Sequence, residues 1–438
     1  MPHPALLVKG PRLIDNRGQL VVLVSIAAEI LCVGSAEWGE SALTNYRVEV
    51  SEKHYYSWLE AAQLSETLTL WKVVRDLWDP DANPSGFLNL GIAENSLMHD
   101  ILSRHVHQNI NLPNTTFTYG DGTVGSKRLR EAIAFLLGQP YWGTFVPDLT
   151  LRFGAQLLPV PFHNIDPLED GCVQKYKDVI LEAHSRGQKV AGLVICNPHN
   201  PLGRCYSKEV LISLMYLCEE YQLHLISDEI YALSVWSNDI DDNGPAPVPF
   251  TSILSIDPGG IIDPARIHVV WGMSKDFGAS GLRVGSFISQ SNEILHKAMT
   301  PVGLYTYVSA ASDHIAANIL EDSLWTDAYI VENQKRLSKQ YEFVIRWARD
   351  HHISHAPGVN AAFFVWLDLG SYYQRNHLEM YVKQSHHITK ALLEKKVFLA
   401  SGADFGSEKP GWFRIVFAHE DHYLQEVLTR IIAALEAA

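Results

Sequence analysis

Val190-Ala-Gly-Leu-Val-Ile-Cys-Asn-Pro-His-Asn-Pro-Leu-Gly203 begins as a short apolar, β-rich run and stops in a turn set by two prolines and a glycine. Ser207 to Tyr221 follows as a helix, with Leu211, Leu214, Met215 and Cys218 at i, i+3, i+4 and i+7 spacing. Ser207 supplies a hydroxyl cap for it, and Glu209 lies in its first turn. Leu223 to Ser227 is a second apolar run, and Ile267 to Trp271 a third. Strand, helix and strand in this rhythm predict a parallel α/β sheet with right-handed crossovers. Ligands of such sheets bind at the carboxyl ends of the strands. Asn200, Asp228 and Lys275 all fall there.

Outside this block the chain is less patterned. It has 438 residues, enough for two packed domains with a large core. Hydrophobic residues make up 47% and charged residues 19%, the balance of a cytosolic globular enzyme, and a cytoplasmic location is expected. A net charge of −14 argues against a nucleic-acid partner. The cysteines, Cys32, Cys172, Cys196, Cys205 and Cys218, lack C-x-x-C spacing and read as reduced thiols, although Cys196 and Cys205 bracket a loop. Leu20 to Ala28 is apolar, but Glu29 cuts it too short to span a bilayer. It reads as part of an atypical, soluble N-terminal extension over residues 1–53, with no membrane association. Residues 54–300 read as the large domain. Within them 237–265, rich in Asp, Asn, Gly and Pro, reads as an exposed loop. A long helical stretch from Ala310 to Arg349 opens a smaller α+β domain over 301–438, with strands at Ala361–Leu369 and Trp412–Phe417.

The chemistry starts from Lys275, in His-Val-Val-Trp-Gly-Met-Ser-Lys-Asp-Phe-Gly-Ala-Ser-Gly-Leu-Arg-Val-Gly, residues 268–285. A lysine at the mouth of an apolar strand is costly unless it is used. Desolvation lowers its pKa and frees its amine for Schiff-base chemistry. Asp228 in Asp228-Glu-Ile-Tyr231 could equally be a helix cap. Asn200 could simply belong to its turn, and a buried Arg414 in Pro410-Gly-Trp-Phe-Arg-Ile-Val-Phe could serve an internal salt bridge.

The three strand-end motifs in this order resemble those of fold-type I pyridoxal-phosphate enzymes, the class I/II aminotransferases, and especially their 1-aminocyclopropane-1-carboxylate (ACC) synthase-like branch. The resemblance implies that branch's mostly parallel central sheet with helices on both faces. It implies pyridoxal 5'-phosphate as cofactor, attached to Lys275. Arg283 then binds the phosphate, and Asp228 pairs with the pyridine nitrogen and keeps the ring an electron sink. Asn200 and Tyr231 share the phenolate oxygen. Pro140-Tyr-Trp-Gly-Thr-Phe145 resembles the segment whose aromatic ring stacks on the pyridine, which is Trp142 here with Tyr141 beside it. Tyr119, in Thr118-Tyr-Gly-Asp-Gly122, reaches the phosphate of a neighbouring subunit, so a homodimer is implied. Leu90-Gly-Ile-Ala-Glu-Asn95 resembles a motif that places Glu94 in the substrate pocket. Arg414 becomes the anchor of the substrate α-carboxylate, held bidentately by its planar fork.

Two features depart from that pattern. Ala132-Ile-Ala-Phe-Leu-Leu-Gly138 runs almost directly into Gln139-Pro-Tyr-Trp. Relatives hold several tens of residues there: a strand, a phosphate-cradling turn at a helix N-terminus, that helix and a further strand. An internal deletion near residues 136–139 is therefore expected. Gly272 also stands where many relatives carry a phosphate-contacting serine. The expected activity is an aminotransferase or ACC synthase-like reaction on a small α-amino acid or a conjugate of one. The Ala-Glu-Asn and Tyr-Gly-Asp-Gly segments look most like the fungal branch. A C–S lyase or aminotransferase of epidithiodiketopiperazine (gliotoxin-type) biosynthesis is accordingly one alternative. A truncated, non-catalytic paralogue that binds little cofactor is another.

Overall fold

The computed structural model describes residues 21–24 and 72–437, apart from 118–125, 137–155, 164, 242–243, 307, 377–383, 406 and 408. Contacts divide the chain into two compact units. The described parts of the first are 21–24, 97–338 and 357–362; those of the second are 72–96, 339–356 and 363–437.

The first unit is built on six strands: β1 (Val21–Val24), β2 (Gln156–Pro159), β3 (Val190–Cys196), β4 (His224–Asp228), β5 (Ile267–Gly272) and β6 (Gly285–Ile288). Their order in the sheet is β2-β1-β3-β4-β5-β6, parallel except for β6. Every residue of β3 and β5 is buried, so both faces of the sheet are covered. The helices Gly171–Ser185 and Lys208–Tyr221 pack with the strands into one apolar core that includes Tyr176, Leu193, Leu214 and Leu225. Ser207 caps the second helix, its Oγ accepting the Val210 N–H at 3.2 Å. Gln222 ends that helix in the left-handed region at φ 57°.

β1 is the departure from the sequence reading. Val21–Val24, read as part of an extension, lies inside the sheet, pairing with Gln156–Pro159 on one side and β3 on the other. The 237–265 segment also differs from a simple exposed loop. Ile253 is buried, and its N–H donates to the buried Glu229 carboxylate at 3.0 Å.

The second unit has a four-stranded antiparallel sheet of β7 (Ser354–His355), β8 (Phe364–Asp368), β9 (Ala400–Ser401) and β10 (Trp412–Val416), in the order β9-β10-β8-β7. Leu88–Asn89 pairs in parallel with Val397–Phe398. The helices Gln384–Glu394 and Asp421–Ala437 pack on each other.

The expected single helix from Ala310 to Arg349 is two, Ala310–Glu321 and Ser323–Asp350. Asp322 makes the break, its carboxylate accepting the Trp325 N–H at 3.1 Å and so capping the second helix. The units do not divide at residue 300. Ala310–Glu321 packs on Lys127–Leu136 in the first unit, while 72–96 belongs to the second. Among the described residues no helix is long and apolar enough to cross a membrane, and no side-chain cluster could hold a metal ion. Cys172, Cys196, Cys205 and Cys218 are free and buried.

Candidate active site

In the first unit, three adjacent parallel strands deliver polar groups from their carboxyl ends. β3 leads into the Asn197–Gly203 turn, and Asn197 fixes it. Its backbone N–H donates to the Asp228 carbonyl at 2.6 Å, its Nδ2 donates to the Thr251 carbonyl at 3.0 Å, and its Oδ1 accepts the Tyr206 N–H at 3.1 Å. Asn200 is fully buried inside this turn. The register pairs Cys196 directly with Asp228, the last residue of β4. Tyr231 follows, fully buried, in a turn closed by the Ser234 N–H on the Tyr231 carbonyl at 2.9 Å. Lys275 comes three residues after β5 and is only 7% exposed. Its turn is held from behind by Tyr329, whose hydroxyl donates to the Phe277 carbonyl at 2.9 Å while the two rings stack at 5.3 Å.

Asp228 dominates the electrostatics. Burial pushes its carboxyl well above the usual carboxylate range, against the Ile230 N–H, the Cys196 thiol and the Lys275 ammonium, which favour the charged form. Oδ1 accepts only a long bond from the Ile230 N–H, at 3.4 Å. The neighbouring Cys196 thiol donates to the Pro198 carbonyl at 3.1 Å. Oδ2 is left with no hydrogen-bond donor among the described residues. A buried carboxylate oxygen so placed fits a cationic N–H brought in by a ligand, as a protonated pyridine nitrogen would be.

Arg283 is also in this unit. It is exposed, in the left-handed region at φ 55°, with Nη1 donating to the Ser280 carbonyl at 3.1 Å. The first unit thus brings together Asn200, Asp228, Tyr231 and Lys275 on neighbouring strand ends and carries Arg283 beyond them.

The second unit holds Arg414 and Glu94. Arg414 is 1% exposed on β10; Nη2 donates to the Gly91 carbonyl at 2.6 Å, and the guanidinium lies over the Phe364 and Phe405 rings at 5.1 and 4.9 Å. Composition alone suggested an anionic partner for a buried arginine. The structure adds a carbonyl and two aromatic faces, which also stabilise a cation. The 89–94 loop that presents Gly91 is folded by Asn89. Its Oδ1 accepts the N–H groups of Gly91 and Ile92 at 3.2 and 3.1 Å, and its own N–H donates to the Tyr423 hydroxyl at 2.6 Å. Gly91 is required there, since a Cβ would lie 2.5 Å from the Phe398 ring. Glu94 is exposed. Tyr119, Tyr141 and Trp142 lie outside the described residues. Asn89 and Tyr423 escaped the sequence reading, and Cys196 was named there only as a thiol bracketing a loop, not as a neighbour of Asp228. Cys196 closing an apolar strand next to an Asn-Pro turn was the only local signal.

The family profile described as "Aminotransferase class I and II" matches residues 125–431. The chain belongs to this family. Class I and II aminotransferases of this fold use pyridoxal phosphate, and the open oxygen of Asp228 beside Lys275 fits that cofactor. The chain is similar to 1-aminocyclopropane-1-carboxylate synthase-like protein 1 of Mus musculus, 30% identical over 82% of this chain and 78% of that protein. It is also similar to a Mus musculus protein named "Probable inactive 1-aminocyclopropane-1-carboxylate synthase-like protein 2", 29% identical over 82% and 68%. The first alignment runs over 413 positions while using 82% of a chain of 438 residues, so on the order of fifty positions face no residue here. Aspartate aminotransferase from Thermus thermophilus with maleate shares the fold, with a TM-score of 0.61 and 18% identity over 86% of this chain and 98% of that one.

Proposed function

We propose that this member of the family acts on an α-amino acid, or a conjugate of one, in an aminotransferase or ACC synthase-like reaction. The observation that carries this reading is the buried Asp228, its Oδ2 open, on the strand end beside that of Lys275. Pyridoxal phosphate supplies the electron sink for charge left at the substrate α-carbon. In this reading the Lys275 amine would hold the cofactor covalently, would be displaced by the amino group of the substrate and, once freed, would take the α-proton as general base. Asp228 keeps the ring nitrogen protonated, while Asn200 and Tyr231 hold the ring oxygen. Arg283 meets the phosphate and Arg414 the substrate carboxylate. A homodimer would add Tyr119 of a neighbouring subunit, and the free buried thiols support a reducing, cytosolic setting. Return of the proton would give transamination, loss of a sulfur substituent from the β- or γ-carbon would give C–S cleavage of the gliotoxin-cluster kind, and displacement of a γ-substituent by the α-carbon would give ring closure, so the outcome is decided by product assay.

Borohydride reduction of the protein with pyridoxal phosphate tests the reading. The pyridoxyl label is expected on Lys275, and Lys275→Ala is expected to lose label and turnover together. Label on another lysine, or turnover in that variant, would overturn it. The second reading, a folded but non-catalytic paralogue, is favoured by the positions missing relative to the mouse protein. It predicts no cofactor absorbance band at saturating pyridoxal phosphate.

A further inference from the structure

We propose that Asp276 is a positioning residue. It clips the Lys275 turn to the Tyr231 turn and so sets the spacing between these two groups. The proposal rests on the reading of Lys275 and Tyr231 given above.

Asp276 directly follows Lys275 and is 2% exposed. Its Oδ1 accepts the Ser234 hydroxyl at 2.6 Å and its Oδ2 the Leu233 N–H at 3.2 Å. Ser234 is itself fully buried and closes the turn that begins at Tyr231. One carboxylate therefore spans the loops that leave β4 and β5. The helix Ser323–Asp350 backs both loops, with Gln334 Nε2 on the Leu233 carbonyl at 3.0 Å and the Tyr329 hydroxyl on the Phe277 carbonyl. That backing fixes each loop to the helix, and Asp276 fixes the loops to each other.

An acid is an expensive choice at a buried position. A neutral acceptor would serve Ser234 alone. The Ser234 hydroxyl and the Leu233 N–H are each given their own oxygen at charge-assisted strength. Burial pushes the carboxyl up to about 7, against the Ser234 hydroxyl and the Leu233 and Ser234 N–H groups, with the Trp271 indole adding a further favourable contact. The ionisable groups around it are Lys275 beside it in the chain and Tyr329, whose phenol is itself pushed up by burial and by Asp276. On protonation one oxygen becomes a donor. With the proton on Oδ1 the Ser234 hydroxyl can reverse its role and accept, while Oδ2 still accepts the Leu233 N–H; both bonds then lose their charge assistance, so the clip loosens in acid and tightens as pH rises through neutrality. Global stability moves the other way. The folded pKa is raised, so the contribution of the neutral acid is complete below the ordinary aspartate range and is lost as pH rises through about 7.

The test uses the full chain as wild type, Asp276→Asn and Ser234→Ala. In cofactor-free protein, amide hydrogen exchange is read on peptides covering 231–235 and 274–279 at pH 6 and 8, corrected for intrinsic rates. Ser234→Ala is expected to speed exchange in both peptides by about tenfold, the loss of one charge-assisted hydrogen bond, with the pH dependence kept. Asp276→Asn is expected to speed both and to abolish the pH dependence. In protein treated with pyridoxal phosphate, Asp276→Asn is expected to shift the pH midpoint of the cofactor absorbance band. Unchanged exchange at 274–279 in Ser234→Ala overturns the clip whatever the spectrum shows, and so does an Asp276→Asn midpoint equal to wild type. If no cofactor band forms, the functional reading fails while the exchange arm still decides the clip. If Asp276→Asn does not fold, Ser234→Ala decides it alone.

Discussion

Asp228→Asn is expected to stabilise the cofactor-free protein and to weaken its hold on pyridoxal phosphate. Asp228 is buried, one oxygen has a 3.4 Å bond and the other has no donor among the described residues. Leaving such a group poorly satisfied costs about 1–3 kcal/mol, which for a chain of this size is a few degrees in Tm. The sign follows from the raised pKa. Stability tied to the protonated carboxyl is complete below the ordinary aspartate range and lost as pH rises through the folded value. The melting advantage of Asn over Asp therefore opens as pH rises above the ordinary aspartate range and closes in acid. Asp276 titrates in both proteins and cancels in the comparison. In the cofactor complex the variant loses a charge-assisted contact of about 1.5–3 kcal/mol, or roughly 10–150-fold in affinity. Calorimetric melts across pH and absorbance titrations with pyridoxal phosphate measure the two effects. An Asn variant that melts lower than wild type at pH 8, or that binds the cofactor equally well, would refute the reasoning.

Arg414→Lys keeps the charge and loses the fork. It is expected to lower kcat/KM by about 1.5–3 kcal/mol with the cofactor band unchanged, whereas loss of the band would make Arg414 structural. Gly91→Ala forces a Cβ to 2.5 Å from the Phe398 ring, and a thermal melt should show about 1–3 kcal/mol of destabilisation from overpacking. Substrate affinity should fall with it, because the carbonyl that holds Arg414 belongs to the displaced residue. Inserting after Leu136 the strand-turn-helix-strand segment of a relative should tighten cofactor binding and raise Tm, since a phosphate cradle needs backbone N–H groups at a helix start. Equal titrations and equal melts would show that the chain manages without it.

The parallel core was legible because its strands are short, largely apolar runs. Val190–Cys196 and Ile267–Gly272 are buried on both faces, and the Ser207 cap and the 3.6-residue period marked the helix between β3 and β4. Val21–Val24 was not legible as a sheet strand, because the apolar run that holds it, Leu20 to Ala28, carries no local information about distant partners. The break at Asp322 escaped for a related reason: it lies in the backbone of one residue, which leaves the helical region at φ −80° and ψ 75° while its side chain caps the next helix. Of the site, the strand-end positions of Asn200, Asp228 and Lys275 could be read from order alone. The Gly91 carbonyl on Arg414 and the Ser234 hydroxyl on Asp276 could not, since they join positions far apart in the chain.

β1 also bears on how the protein is made. Val21–Val24 leaves the ribosome well before either strand it joins, since both lie more than a hundred residues further along. Until they arrive, four apolar residues with strong strand preference have no native neighbour and stand as an unpaired strand edge. Sheets joined over such separations form slowly, and the waiting edge can pair with another chain. Yield on expression should therefore depend on chaperone supply and growth temperature more than the stability of the finished fold would suggest.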